Sequence, residues 1–142
     1  MGHDPIGELL ATVRRIALVG ASPRPDRPSH EVLVRLAERG YDVVPVHPTA
    51  SEVAGIPAVP SLTELAARVE VDGPVDLVDV FRRPEHADEV AEEAVALGAG
   101  GLWLQLGIRS DAARVRATAA GLAYVEDRCL AVEVEARGLG WR

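Results

Sequence analysis

The chain has 142 residues, 48% of them hydrophobic, which suits one domain spanning residues 1–142 with a core of its own. Its formal net charge of −7 makes it a poor general binder of nucleic acid or anionic membrane, and its lone cysteine, Cys129, excludes an internal disulfide. No apolar run reaches the about 18–20 residues of a membrane helix, and MGHDPIGELLATVRR lacks the basic-then-apolar order of a secretory signal, so the reading is a cytoplasmic protein.

IALV (16–19) is a continuous apolar run ending at Gly20, the pattern of a strand buried on both faces. From Ser29, SHEVLVRLAERG places Val32, Leu33, Leu36 and Ala37 on one helical stripe, with Ser29 as the expected N-cap and Gly40 as the stop. YDVVPV (41–46) predicts a second strand, ended by His47 and Pro48. Ser61 and Glu64 stand at capping-box spacing and open a short helix. VDLVDVF (75–81) predicts the third strand, and Pro84 suits the first turn of the helix that follows. There Ala87, Val90, Ala91, Ala94 and Val95 form the apolar stripe, and Gly98 closes it. GLWLQLG (101–107) predicts a fourth strand, Ser110 leads into another helix, and LAYVED (122–127) predicts a fifth strand. The tail CLAVEVEARGLGWR alternates like a strand, yet its composition also suits a helix.

This alternation is the signature of an α/β fold: about five parallel strands with helices on both faces. Ligands of such sheets bind beyond the carboxyl ends of the strands, where the strand order reverses. At those ends the sequence places Gly20, Ala21, Ser22, Arg24, Arg27 and Ser29, then His47 and Pro48, then Phe81, Arg82 and Arg83, then Gln105 and Gly107. Four arginines in an acidic chain, close to two predicted helix starts, point to a polyanion and most directly to phosphates. Loop arginines are also ordinary solvated residues, and their joint placement is what favours a site. A Gly-x-Gly-x-x-Gly fingerprint is absent, since Ser22 and Pro25 occupy its later glycine positions, and no carboxylate ends the second strand. Both departures argue against ordinary NAD binding.

Catalytic chemistry is less visible. His3, His30, His47 and His86 show no metal-ligand spacing. His47 stands at the ligand edge, where ligand contact and packing are both open. Cys129 reads first as a structural thiol, with the neighbouring Arg128 keeping a reactive role as the alternative. Asp76 and Asp79 read as edge or network carboxylates whose spacing alone makes no acid–base pair, and Trp103 reads as core.

VGASPRPDRPSHEV, VVPVHP, VDLVDVFRRPE, GLWLQLGI and DRC stand in the order in which they occur in the small stand-alone CoA-binding proteins, which this chain resembles over roughly residues 7–135. Those proteins are Rossmann-like and similar to the CoA-binding domain of the succinyl-CoA synthetase alpha subunit. The resemblance implies a single doubly wound domain with coenzyme A, or an acyl-CoA, across the strand ends. It implies a first phosphate loop at Gly20, Ala21, Ser22, Arg24, Arg27 and Ser29. Further contacts are implied at Pro48, Phe81, Arg82, Arg83, Gln105 and Gly107. His47 departs from the asparagine usual there; histidine can still donate a hydrogen bond. The expected function is CoA binding without an evident catalytic apparatus, as carrier, sensor or partner subunit. A protein partner or a homo-oligomer is compatible with it. The alternative is an NADP- or nucleotide-dependent oxidoreductase, or an acyl-CoA enzyme using Cys129.

Overall fold

In the computed structural model, which describes residues 2–141, the chain opens with helix α1 (Pro5–Thr12), strand β1 (Arg15–Val19), helix α2 (Pro28–Glu38) and strand β2 (Asp42–Val46). A small antiparallel pair, β3 (Glu52–Val53) and β4 (Ile56–Pro57), and two short helices, α3 (Leu62–Ala66) and α4 (Val69–Asp72), lead to β5 (Leu77–Val80). A 3-10 turn at Pro84–His86 runs into α5 (Ala87–Leu97), and then come β6 (Gly101–Leu104), α6 (Asp111–Ala119), β7 (Ala123–Val125) and α7 (Leu130–Ala136). The five long strands pair in parallel in the order β2-β1-β5-β6-β7. Among the described residues no helix is long and apolar enough to cross a membrane.

The two faces of the sheet collect different helices because side chains alternate along each strand. Ile16 and Leu18 of β1, with Leu77 and Trp103, pack against Leu10, Val32, Leu33, Leu36, Leu130 and Val134, so α1, α2 and α7 cover one face. Ala17 and Val19, with Val78, Val80, Leu102 and Leu104, meet Leu62, Leu65, Val90, Ala94, Ala113 and Ala117, so α3, α5 and α6 cover the other. Each fully buried leucine here stabilises the fold by about 1.5–3 kcal/mol. Charges tie the first face at its rim. The Arg35 Nε of α2 donates to Glu135 Oε2 of α7 at 2.9 Å, and Arg137 reaches Asp4 at 2.9 and 3.1 Å.

Most expected elements form, with shorter strands. Ser61 and Ser110 cap their helices, accepting from the Glu64 and Ala113 amides at 3.1 Å each. Gly98 (φ 79°) ends α5 in the left-handed conformation. Three features differ from the sequence expectation. The ambiguous tail is helical, because Leu130, Ala131 and Val134 share one face and bury it against the sheet. Residues 5–12, given no element above, form α1. The N-cap of α2 is Arg27 rather than Ser29, because Pro28 takes the first helical position and the Ser29 hydroxyl faces inward to the preceding loop.

The two strand carboxylates have separate fates. Asp76, before β5, accepts the Arg14 and Arg15 amides at 3.0 and 2.9 Å and joins the starts of β1 and β5. Asp79 lies fully buried between Leu18 and Trp103 on the neighbouring strands, and neither of its oxygens has a hydrogen-bond partner. Burial pushes its carboxyl well above the ordinary range, which holds it neutral in the folded chain. The unfolded carboxyl ionises near pH 4, so burying Asp79 costs least below that pH and the cost grows as pH rises toward its folded-state value. Asp79→Asn removes that component. The wild-type minus variant difference in urea-unfolding free energy will fall as pH rises above about 4, whereas a constant difference would refute a neutral, unpartnered carboxyl. Asp79→Leu will raise stability by about 1–3 kcal/mol, the penalty of an unsatisfied buried group.

Candidate functional site

β1 and β5 are neighbours, but the helices that follow them lie on opposite faces: α2 covers one and α5 the other. The chain therefore parts at their carboxyl ends and leaves a crevice, the topological switch point of the sheet. At that point Gly20 has φ +86°, and a Cβ placed on it would collide with the Phe81 carbonyl oxygen. The strands stay joined there by the Phe81 amide, which donates to the Val19 carbonyl at 2.9 Å. Only glycine permits both the backbone angle and the approach.

On the α2 side, Gly20 and Phe81 form the floor of an open pocket of about 430 Å³, rimmed by Ser22, Arg24, Arg27 and Ser29. Short-range bonds fold the prolyl loop. The Ser22 amide donates to Ser29 Oγ at 3.1 Å, and the Arg24 amide donates to Ser22 Oγ at 3.2 Å. His30 Nδ1 stands 2.9 Å from the Ser22 carbonyl, so that nitrogen carries the proton and donates. Among the described residues no side chain caps α2: Pro28 carries no N–H, and the His30 and Glu31 amides donate to the Arg27 carbonyl at 3.1 and 3.2 Å. Arg24 pairs with Asp26 at 3.2 Å, whereas Arg27 is exposed and has no ion pair among the described residues.

The opposite wall of Gly20 belongs to a second pocket, of about 410 Å³. Val19, Val46, Leu62 and Val90 make it apolar; Pro48 and Pro60 flank it; Ser61, Arg82 and Glu93 supply polarity. Partial burial, then the nearby Glu89, raises the Glu93 carboxyl, and Arg82 works against that rise. Sequence reading indicated Pro48 and Arg82 here but missed Pro60, Ser61, Leu62, Val90 and Glu93. Val90 and Ser61 were visible as a stripe residue and a helix cap, and nothing local tied either to the site.

The remaining candidates divide. Ala21 is buried. Phe81 is half-buried in the first pocket, and Arg83 is exposed beside it and lines neither pocket. Gln105 is buried, and its Oε1 accepts the Leu130 amide at 3.1 Å, fixing the start of α7. Gly107 (φ +85°) donates its amide to Asp127 Oδ1 at 2.7 Å. Asp127 itself holds φ 57°, a strained angle for a non-glycine residue, and also receives Arg109 at 2.7 Å. The Gly107 amide, then Arg109, hold its carboxyl below the usual range. Gln105 and Gly107 thus brace the β6–β7 end of the edge. His47 uses Nδ1 to accept the Thr49 and Ala50 amides at 3.1 and 2.8 Å. Cys129 is half-buried at the start of α7 and lines neither pocket. A larger hollow of about 710 Å³ lies between α5 and α6, with Asp88, Arg116 and Val115 in its lining, but no strand end reaches it.

The arrangement suits a ligand that crosses Gly20, with anionic groups toward Arg27 and Arg82 and a flat or apolar part among Val19, Val46, Leu62 and Val90. Residues 14–135 match the profile of the CoA binding domain. The Uncharacterized protein YneT of Bacillus subtilis (strain 168) is 41% identical over 127 residues, covering 89% of this chain and 90% of that one. A hypothetical protein from Pyrococcus horikoshii OT3 superposes with a TM-score of 0.82 at 37% identity, covering 92% of this chain and 88% of that one. The dinucleotide forming acetyl-coenzyme A synthetase 1 of Ca. Korarchaeum cryptofilum, in complex with phosphate and ADP, shares the fold at a TM-score of 0.70 and 21% identity. That match covers 84% of this chain and 27% of the synthetase.

Gly20→Ala will lower stability by at least about 1–3 kcal/mol, because it adds both backbone strain and a clash with a carbonyl. Thermal unfolding tests this against Gly55→Ala, which shares a positive φ but meets nothing within 4 Å. Equal losses in the two variants would refute the close approach.

Proposed function

Because the chain belongs to the CoA binding domain family, we propose that it binds coenzyme A or a short acyl-CoA across the carboxyl ends of β1 and β5. One observation carries this reading: Gly20 floors two pockets at once, with exposed Arg27 on one side and Arg82 on the other, neither in an ion pair among the described residues. Coenzyme A has the matching parts, a pyrophosphate, a ribose phosphate, an adenine ring and a long neutral arm. Arg24, Arg27 and the start of α2 receive phosphate oxygens. Arg82 receives another on the far side of Gly20, and Arg83 extends the cationic rim. The apolar second pocket takes the ring. The Gly20–Ser22 backbone lies against the ligand, and the missing side chain at Gly20 is what lets it approach.

Within this reading the protein works as a CoA carrier, a sensor of acyl-CoA, or the CoA-holding subunit of a larger assembly. His47 and Pro48 end β2 where a dinucleotide-binding domain places a carboxylate for the ribose hydroxyls, which supports CoA over NAD.

Titration calorimetry with CoA, dephospho-CoA, acetyl-CoA and NADPH tests the proposal. CoA will bind saturably, and dephospho-CoA more weakly. Arg27→Ala and Arg82→Ala, at exposed positions that leave the fold intact, will each weaken CoA about tenfold to a hundredfold, the worth of a charge-assisted hydrogen bond. Added salt will weaken binding in the wild type more than in either variant. NADPH binding without CoA binding would overturn the proposal in favour of an oxidoreductase.

A further inference from the structure

The side chain of His47, half-buried just after β2, turns back on its own backbone. Its Nδ1 lies 3.1 Å from the Thr49 nitrogen and 2.8 Å from the Ala50 nitrogen. Both are N–H donors, so Nδ1 holds a lone pair and the neutral ring carries its proton on Nε2. The backbone is pinned as well: the His47 amide donates to the Val59 carbonyl at 3.0 Å, and Val46 bridges to Val59. Pro48 sits inside the turn that the ring closes, and Pro60 and Ser61 follow the pinning segment; all three line the second pocket. The imidazole is thus the acceptor that sets the shape of one pocket wall.

We infer that His47 is a positioning residue that makes ligand binding in this pocket proton-linked: a proton on Nδ1 removes the lone pair, frees the Thr49 and Ala50 amides and releases the turn that carries Pro48. The inference rests on the CoA reading of the site. His30, bonded to the loop that rims the other pocket, shows the opposite arrangement. Its Nδ1 donates to the Ser22 carbonyl at 2.9 Å, a bond that imidazolium makes as well as imidazole, so protonation leaves that loop in place. The two histidines therefore respond differently to acid although both stand beside the same ligand edge. The charged groups lining the His47 side are Arg82, from the segment after β5, and Glu93 of α5. The start of α3 contributes only the uncharged Ser61 there, and Glu52 is the next charge along the segment of His47 itself. Arg82 opposes a second positive charge and Glu93 favours it, so the effect is read as a difference between variants.

The experiment measures the affinity of dephospho-CoA between about pH 8 and pH 5, the range over which histidine changes charge, for wild type, His47→Asn and His30→Gln. Dephospho-CoA lacks the phosphate monoester, which itself titrates near pH 6. Asparagine offers an amide oxygen that accepts the same N–H groups and does not titrate. Wild-type affinity will fall about tenfold toward acid, the loss expected for one to two hydrogen bonds. His47→Asn will stay within about twofold, and His30→Gln will follow the wild type. Hydrogen exchange of the ligand-free protein gives an independent reading: protection of the Thr49 and Ala50 amides will drop at the acid end in wild type and persist in His47→Asn. Parallel pH profiles in wild type and His47→Asn, with unchanged protection of those amides, would overturn the inference and leave the CoA reading standing. Failure of CoA and dephospho-CoA to bind at any pH would overturn both.

Discussion

A carbonyl oxygen, that of Phe81, stands where residue 20 would otherwise carry a side chain. This close approach accompanies the bond from the Phe81 amide to the Val19 carbonyl, which joins β1 and β5 at the point where the chain leaves them toward opposite faces. Any Cβ there would push the strand ends apart, and the crevice between α2 and α5 would change width. Gly20 is also the one residue common to both pockets, so its missing side chain sets the thickness of the wall between them. The fold and the ligand edge therefore share one steric condition.

Around that point the charges are divided by task. Many arginines are spent on structure: Arg35 and Arg137 tie α2, α7 and α1, and Arg109 braces Asp127. Arg27 and Arg82 are engaged by no carboxylate within ion-pair distance among the described residues, and both lie beside Gly20. In a chain of net charge −7 they make a local cationic edge within an acidic surface. Such an edge suits the phosphates of the proposed ligand, while an acidic surface disfavours long polyanions. The uncapped start of α2 adds to it, because Ser29 turns its hydroxyl inward to shape the loop.

Two aspartates stand in costly positions, one unpartnered in the core and one on a left-handed backbone. Asp79 is a carboxyl with no hydrogen-bond partner among the described residues, on β5 two residues before Phe81 and on the face covered by α2 and α7. Asp127 keeps a left-handed backbone because its carboxylate binds the Gly107 amide and Arg109 at once. Asp79 lies on β5 and Asp127 just after β7, in the half of the sheet away from β2. In the same half Gln105 anchors the start of α7.

Much of this was legible in the residues. Buried parallel strands read as short apolar runs, the serine cap of α3 stood at its spacing, and Gly20 ended the first strand ahead of its arginine-rich loop. The start of α2 was misjudged because Ser29 fits a cap by type, whereas Pro28 and the inward hydroxyl decide its place. The tail stayed ambiguous because period two and period three overlap in so short a segment, until the sheet offered Leu130 and Val134 a face to bury. By itself, then, the sequence determined the alternation of strands and helices, the glycine and the pool of arginines, since these follow from local periodicity and residue chemistry. Only the tertiary structure decided the order β2-β1-β5-β6-β7. Strand order sets Gly20 against Phe81, brings Pro60, Ser61, Val90 and Glu93 to the second pocket, and leaves Gln105 and Gly107 as braces, because a hydrophobic pattern records which side of a strand is buried and carries no record of which strand lies beside it.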